Sequence, residues 1–123
     1  MKNNFDYFIG IDWSGAKGSS HKGIAVAISS DKNNLIDIVN PKNKYWSRFE
    51  LFKYLVKMSS SSRILVGIDF AFSYPFIDLN SYFPNCKTTT PRTVFQLWKC
   101  IDEQNRGQED LYGGGIWDDE ILG

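Results

Sequence analysis

Phe8-Ile9-Gly10-Ile11-Asp12 and Ile64-Leu65-Val66-Gly67-Ile68-Asp69 share one ending, Gly-Ile-Asp, after an apolar run. Near-continuous apolar runs of this length are typical of strands buried on both faces, and they predict a central parallel pair. Side by side, the two runs bring their C-terminal ends to one edge of the sheet. Neighbouring strands lie about 4.8 Å apart, so Asp12 and Asp69 are expected close together. Two carboxylates that close repel, and either one takes up a proton or both share a cation. A shared divalent metal is the reading that turns the repeat into chemistry. Gly10 and Asp12 fall on one side of their strand, and Gly67 and Asp69 on one side of theirs. A glycine two residues before each acid leaves room for a backbone or a ligand to approach.

Around this pair the chain supplies further elements. The first strand covers 7–12 and runs into a loop of small residues, Trp13 to Lys22. A second strand over 23–29 alternates Ile24, Val26 and Ile28 with Ala25, Ala27 and Ser29, a period of two. A turn cluster at 30–34 leads to a third strand over 35–39, closed by Asn40-Pro41. Short loops make these three an antiparallel meander. The period then lengthens: a helix over 47–58 carries Phe49, Phe52, Leu55 and Val56 as its apolar stripe. Ser47 and Glu50 form a capping-box pattern at its start, and Ser59 to Ser62 end it. The fourth strand, 64–69, follows as the far side of a crossover unit, right-handed where it lies parallel to a neighbour. A long aromatic and proline-bearing stretch runs from Phe70 to Pro91, and a second helix over 93–103 places Val94, Leu97, Trp98 and Ile101 on one stripe. The expected fold is α/β, with a mixed sheet, element order β-β-β-α-β-α and strand order 3-2-1-4.

Composition narrows the function classes. The chain has 123 residues, 42% hydrophobic and 15% aromatic, enough for one domain with a packed core. Its mean hydropathy is −0.32, and no run approaches the roughly 20 apolar residues of a membrane span. No signal-peptide apolar region stands apart from the first strand, which predicts a cytoplasmic protein. Fourteen basic residues balance fourteen acidic ones. That lowers the expectation of tight, unspecific grip on nucleic acid while leaving room for a local basic patch. Cys86 and Cys100 lack Cys-x-x-Cys spacing and read as reduced structural thiols. His21, the single histidine, sits in a polar loop, and one histidine with two distant cysteines does not make a zinc site.

Asp12 at the end of the first strand, Glu50 in the first turn of the first helix and Asp69 at the end of the fourth strand form an ordered set of acids. The arrangement resembles the ribonuclease H-like superfamily. The strings Asp12-Trp13-Ser14, Asn40-Pro41 with Ser47-Arg48, Gly67-Ile68-Asp69-Phe70 with Tyr74-Pro75, Asn105-Arg106 and the late Gly113-Gly114-Gly115-Ile116-Trp117 look, in this order, like a bacterial family of predicted nucleases with ribonuclease H fold. The resemblance spans Tyr7 to Trp117. It implies a metal-dependent phosphodiester hydrolase acting on nucleic acid, with Mg2+ or Mn2+ held by Asp12 and Asp69 and assisted by Glu50. Hard cations of this kind take oxygen ligands, and two of them roughly 4 Å apart activate a water and stabilise the leaving oxygen. The resemblance also implies a fifth strand and a last helix bearing another acid. Neither is evident, so the chain reads as a fragment or a reduced version, with Asp118 or Asp119 as a stand-in ligand. A missing fifth strand leaves the fourth exposed and predicts a homodimer through that edge, or poor solubility.

Blander readings compete at several positions. An Asp at a strand end is often a loop-starter, and the capping box alone accounts for Glu50. Ser14, Gly15 and Lys17 would bind phosphate through backbone N–H groups and the ammonium, or the segment is a plain hairpin loop; it lacks Walker spacing. Arg48 beside a helix N-terminus meets either an anion or a surface carboxylate. The aromatic loop (Phe70, Phe72, Tyr74, Phe76, Tyr82, Phe83) either stacks bases or covers the sheet edge. Two other functions stay open: a nucleotide-binding phosphotransferase of the actin and sugar-kinase type, and a non-catalytic interaction domain on the same scaffold.

Overall fold

The computed structural model describes residues 4–70, 80–83, 86 and 89–115. The chain divides into two compact units, residues 1–70 and 71–123. In the first unit β1 (Tyr7–Asp12), β2 (Ala25–Ser30), β3 (Ile36–Ile38) and β4 (Ile64–Ile68) form one mixed sheet in the order β3-β2-β1-β4, with α1 (Arg48–Ser61) between β3 and β4. β2 runs antiparallel to both β1 and β3, and β1 runs parallel to β4. The α/β class, the meander and the strand order are those expected from the sequence. The aromatic positions Phe72, Tyr74 and Phe76, the Tyr74-Pro75 pair, Trp117, Asp118 and Asp119 lie outside the described residues.

The register explains the core. Ile9 stands between Ile28 and Val66, and Ile11 between Val26 and Ile68. With Ile24, Trp46 and Leu51 these side chains build the core of the first unit. The alternate row is different. Gly10 lies between Ala27 and Gly67 and is exposed, as are Gly67 and Leu65. The expectation of burial on both faces is therefore corrected: the runs read as continuously apolar because glycine adds no polar group, yet glycine also adds nothing to bury. A Cβ at Gly10 or Gly67 would meet no atom within 4 Å. Phe8, Ala27, Ile36 and Leu65 rim a shallow concavity of about 550 Å³ over this small-residue row.

The helix boundaries and face follow from hydrogen bonds and packing. Ser47 caps α1 by accepting the Glu50 N–H at 2.9 Å, which satisfies one of the orphan donors of the first turn. The serine run continues the helix through Ser61 rather than ending it; Ser59, Ser60 and Ser61 turn their hydroxyls back onto the carbonyls of Val56, Lys57 and Met58. The buried face carries Arg48 and Leu51, with Tyr54 and Leu55 packed beside them. Phe49, Phe52 and Val56, expected inward, point out and are 49%, 54% and 50% exposed. The two stripes are offset by one residue, about 100° around the helix axis, and both have helical spacing, so sequence periodicity alone does not choose between them.

In the second unit α2 (Val94–Gln104) starts at Thr93, whose Oγ1 accepts the Gln96 N–H at 3.2 Å. Leu97 and Phe83 are its core, with Cys86, Cys100 and Ile101 packed against them, and the two cysteines are not joined in a disulfide. Trp98, expected inside, is 44% exposed and meets Phe95 edge to face. A 3-10 turn, Glu109–Leu111, follows. Asn105 ties this region together, donating to the Ile101 carbonyl and accepting the Gly115 N–H. No helix among the described residues is long and apolar enough to cross a membrane.

Two outcomes follow for stability. Leu51 is fully buried, so Leu51→Ala is expected to cost about 2–4 kcal/mol in urea unfolding, whereas Phe52→Ser on the exposed stripe costs less than about 1 kcal/mol. Burial, with a smaller contribution from Tyr7, pushes the Tyr54 hydroxyl above the ordinary tyrosine value. The folded chain therefore keeps this proton to a higher pH than the unfolded chain, and stability falls as pH rises past the ordinary value of about 10. Unfolding midpoints measured from pH 8 to 11 should show that fall, and Tyr54→Phe should flatten it.

Candidate active site at the ends of β1 and β4

The last paired residues of the parallel ladder are Ile11 and Ile68. One step further, the Asp69 N–H reaches the Ile11 carbonyl at 3.4 Å. The next donor along this edge, the Trp13 N–H, goes to a side chain: Asp69 Oδ1 accepts it at 2.7 Å. That nitrogen is bonded to the Asp12 carbonyl carbon, so the Asp69 carboxylate lies against the peptide that Asp12 begins. Both acids are exposed. The rings that follow them, Trp13 and Phe70, pack with centroids 5.5 Å apart and close the two strand ends together.

Arg48 holds the loop beyond. It is 2% exposed. Its Nε donates to the Ser14 carbonyl at 3.1 Å, its Nη2 donates to the Ala16 carbonyl, and the guanidinium lies 6.0 Å from the Trp13 ring centroid. A buried guanidinium needs acceptors for its donors, and the backbone carbonyls of residues 14 and 16 supply two. Arg48 therefore positions the loop from beneath and not from the surface. Within the loop the Ala16 N–H bonds to Ser14 Oγ at 3.3 Å, which removes one donor a phosphate cradle would use. Gly15 and Lys17 are exposed, and Gly18 adopts φ +121°, a conformation that side chains rarely take.

Glu50 is placed elsewhere. Its Oε1 accepts the Lys42 N–H at 3.0 Å, so the carboxylate serves the connection between β3 and α1. The capping box is thereby half formed: Ser47 caps Glu50, and Glu50 caps Lys42. Among the described residues no group of three or more His, Cys, Asp or Glu side chains is arranged to hold a metal ion. His21 is 3% exposed, and its backbone bridges to Trp46 through a 2.8 Å hydrogen bond. The polar-loop reading of His21 is thus corrected: the polar neighbours in sequence face water while the strand-like bridge draws this one residue inward.

A groove missed by the sequence reading lies between the chain leaving β3 and the outer side of α1. Lys42, Lys53 and Lys57 line it with Asn40, Asn43 and Tyr54. Its signal was legible as two lysines four residues apart on a helix, next to aromatic residues.

Compared with known proteins, the chain matches no family model, no curated protein and no solved structure. The ribonuclease H-like resemblance therefore rests on the motifs quoted above.

If Arg48 positions the loop, Arg48→Gln should expose it. The expected result is a loss of about 2–3 kcal/mol in stability and faster tryptic cleavage after Lys17 under native conditions. Unchanged cleavage at Lys17 would show that the loop holds its shape without the guanidinium.

Proposed function

We propose that the chain is a divalent-metal-dependent phosphodiester hydrolase on a ribonuclease H-like scaffold, acting on nucleic acid, with Asp12 and Asp69 as the metal ligands. The observation that supports it is the Trp13 N–H to Asp69 Oδ1 bond, which ties the two acidic strand ends together at the C-terminal edge of a parallel pair. Open α/β sheets bind ligands at this edge.

The donor set suits one Mg2+ or Mn2+ ion. Mg2+ is commonly held by one or two carboxylates, with waters and substrate phosphates completing its octahedron. Asp12 and Asp69 supply the two carboxylates. A pair of ions needs more, and Glu50 is engaged at Lys42, so this reading uses one ion and leaves Glu50 out of its ligand set. When bound, such an ion polarises a phosphoryl oxygen and lowers the pKa of a coordinated water. Asp69 keeps one oxygen on the Trp13 amide, which fixes its carboxylate before any ligand arrives. Lys17 and Ser14, on the loop that Arg48 holds, are the groups that meet substrate phosphate charge. Arg48 is a positioning residue.

Titration calorimetry with Mn2+ tests the reading. Wild type should bind, and Asp12→Asn and Asp69→Asn should each weaken binding tenfold or more. Asn at 69 still offers an oxygen to the Trp13 amide, so its unfolding midpoint should stay near wild type while metal affinity falls. The same variants should lose Mn2+-dependent cleavage of a labelled oligonucleotide. Equal Mn2+ affinity in wild type and Asp12→Asn overturns the site.

A further inference from the structure

The groove beside α1 has a volume of about 590 Å³ and a lining rich in positive charge. Lys42 contributes from the connection after β3, and Lys53 and Lys57 stand one helical turn apart on α1. Glu50 is the acid in this lining, so three lysines against one glutamate leave a formal charge of +2, in a chain whose total is +0. The charge is thus concentrated here and not a property of the whole surface. Asn40 and Asn43 add amide groups on the opposite wall.

Aromatic rings alternate with these cations. Phe49 lines the groove and is half exposed, and the Lys53 ammonium lies 4.4 Å from its ring centroid. Just before the helix the Lys44 ammonium lies 5.3 Å from the Tyr45 ring centroid. Phe52, the next exposed aromatic on α1, extends the apolar surface. A half-exposed phenylalanine contributes little to folding, and a lysine over an aromatic face is a weak pair at an exposed site. The same combination is what single-stranded nucleic acid binds: cations follow the phosphates while ring faces take the bases.

We propose that this groove is a track for single-stranded nucleic acid, with backbone phosphates at Lys42, Lys53 and Lys57 and a base stacked against Phe49. The choice of nucleic acid as occupant rests on the hydrolase reading, and it names the substrate class of that reading as single-stranded. The geometry connects the two regions through one helix. The first turn of α1 reaches the loop after β1 through Arg48, and its following turns line the track.

Fluorescence anisotropy with labelled dT12 and U12, in EDTA and from 50 to 200 mM KCl, tests this without the metal. Each phosphate neutralised on a single strand contributes about −0.7 to the slope of log affinity against log salt. Three lysines give a slope of about −2, so wild type should weaken roughly sixteenfold over the fourfold rise in salt. Lys53→Gln/Lys57→Gln should reduce the slope to about −0.7 and weaken binding at 50 mM salt tenfold or more. Phe49→Leu should weaken it fivefold or more while leaving the slope alone. Lys22→Gln/Lys32→Gln, which removes equal charge from exposed positions outside the groove, should stay within about twofold of wild type. The proposal is overturned if wild type does not bind at 50 mM salt, if both lysine pairs weaken binding equally, or if labelled oligoglutamate of equal charge binds better than dT12. Mn2+ titration of Lys53→Gln/Lys57→Gln separates the two readings: unchanged metal affinity shows that a failure here belongs to the groove and not to Asp12 and Asp69.

Discussion

The parallel pairing of β1 with β4 is the constraint from which the site follows. It starts where the Arg63 carbonyl receives the N–H groups of Asp6 and Tyr7, and where the Arg63 N–H returns to Asp6 Oδ2 at 2.8 Å. From there the register advances one residue at a time to Ile11 and Ile68. Two runs of equal length, started together, must end together, so Asp12 and Asp69 arrive at one edge. A one-residue slip would turn Ile9 and Ile11 to the open face, and their burial against Leu51 opposes it.

Arg48 shows how backbone carbonyls help to accommodate a buried charge. Moving a guanidinium from water to the interior is costly unless its donors are met, and here the carbonyls of Ser14 and Ala16 meet two of them. The exchange also serves the loop. Carbonyls drawn inward hold the backbone in one conformation, and the exposed Lys17 is carried on that backbone. Trp13 joins the same arrangement through Phe70 and the guanidinium. The acidic edge and the loop are therefore one preorganised region, held by hydrogen bonds to the backbone, two rings packed at a tilt and one buried cation.

Much of the apolar surface of the first unit is not spent on its core. Phe49, Phe52 and Val56 line the outside of α1, Ile36 and Ile38 stand exposed on β3, and Leu65 stands exposed on β4. Among the described residues β4 is an edge strand. Where lysines adjoin these surfaces, as on α1, charge and ring faces come together. On the sheet face the row Ala27, Gly10 and Gly67 offers only small residues, which makes that side a shallow, mainly apolar floor with Ser29 at its margin.

The sequence by itself determined the element order, the meander, the strand order and the ending of two acid-terminated strands at one edge. Gly-Ile-Asp occurs at both strand ends, and strand periodicity is strong enough to carry that inference. It also located the cap of α1, because Ser47 is chemically suited to satisfy a first-turn N–H group. Only the tertiary structure decided which stripe of α1 is buried, since Arg48 and Leu51 are each one residue, about 100° around the axis, from Phe49 and Phe52 and both stripes have helical spacing. It alone decided that Arg48 turns inward to two carbonyls, that Glu50 serves Lys42, and that His21 is drawn into the core beside Trp46. Those outcomes depend on contacts between residues far apart in the chain, and local periodicity contains no information about which distant partner a side chain will meet.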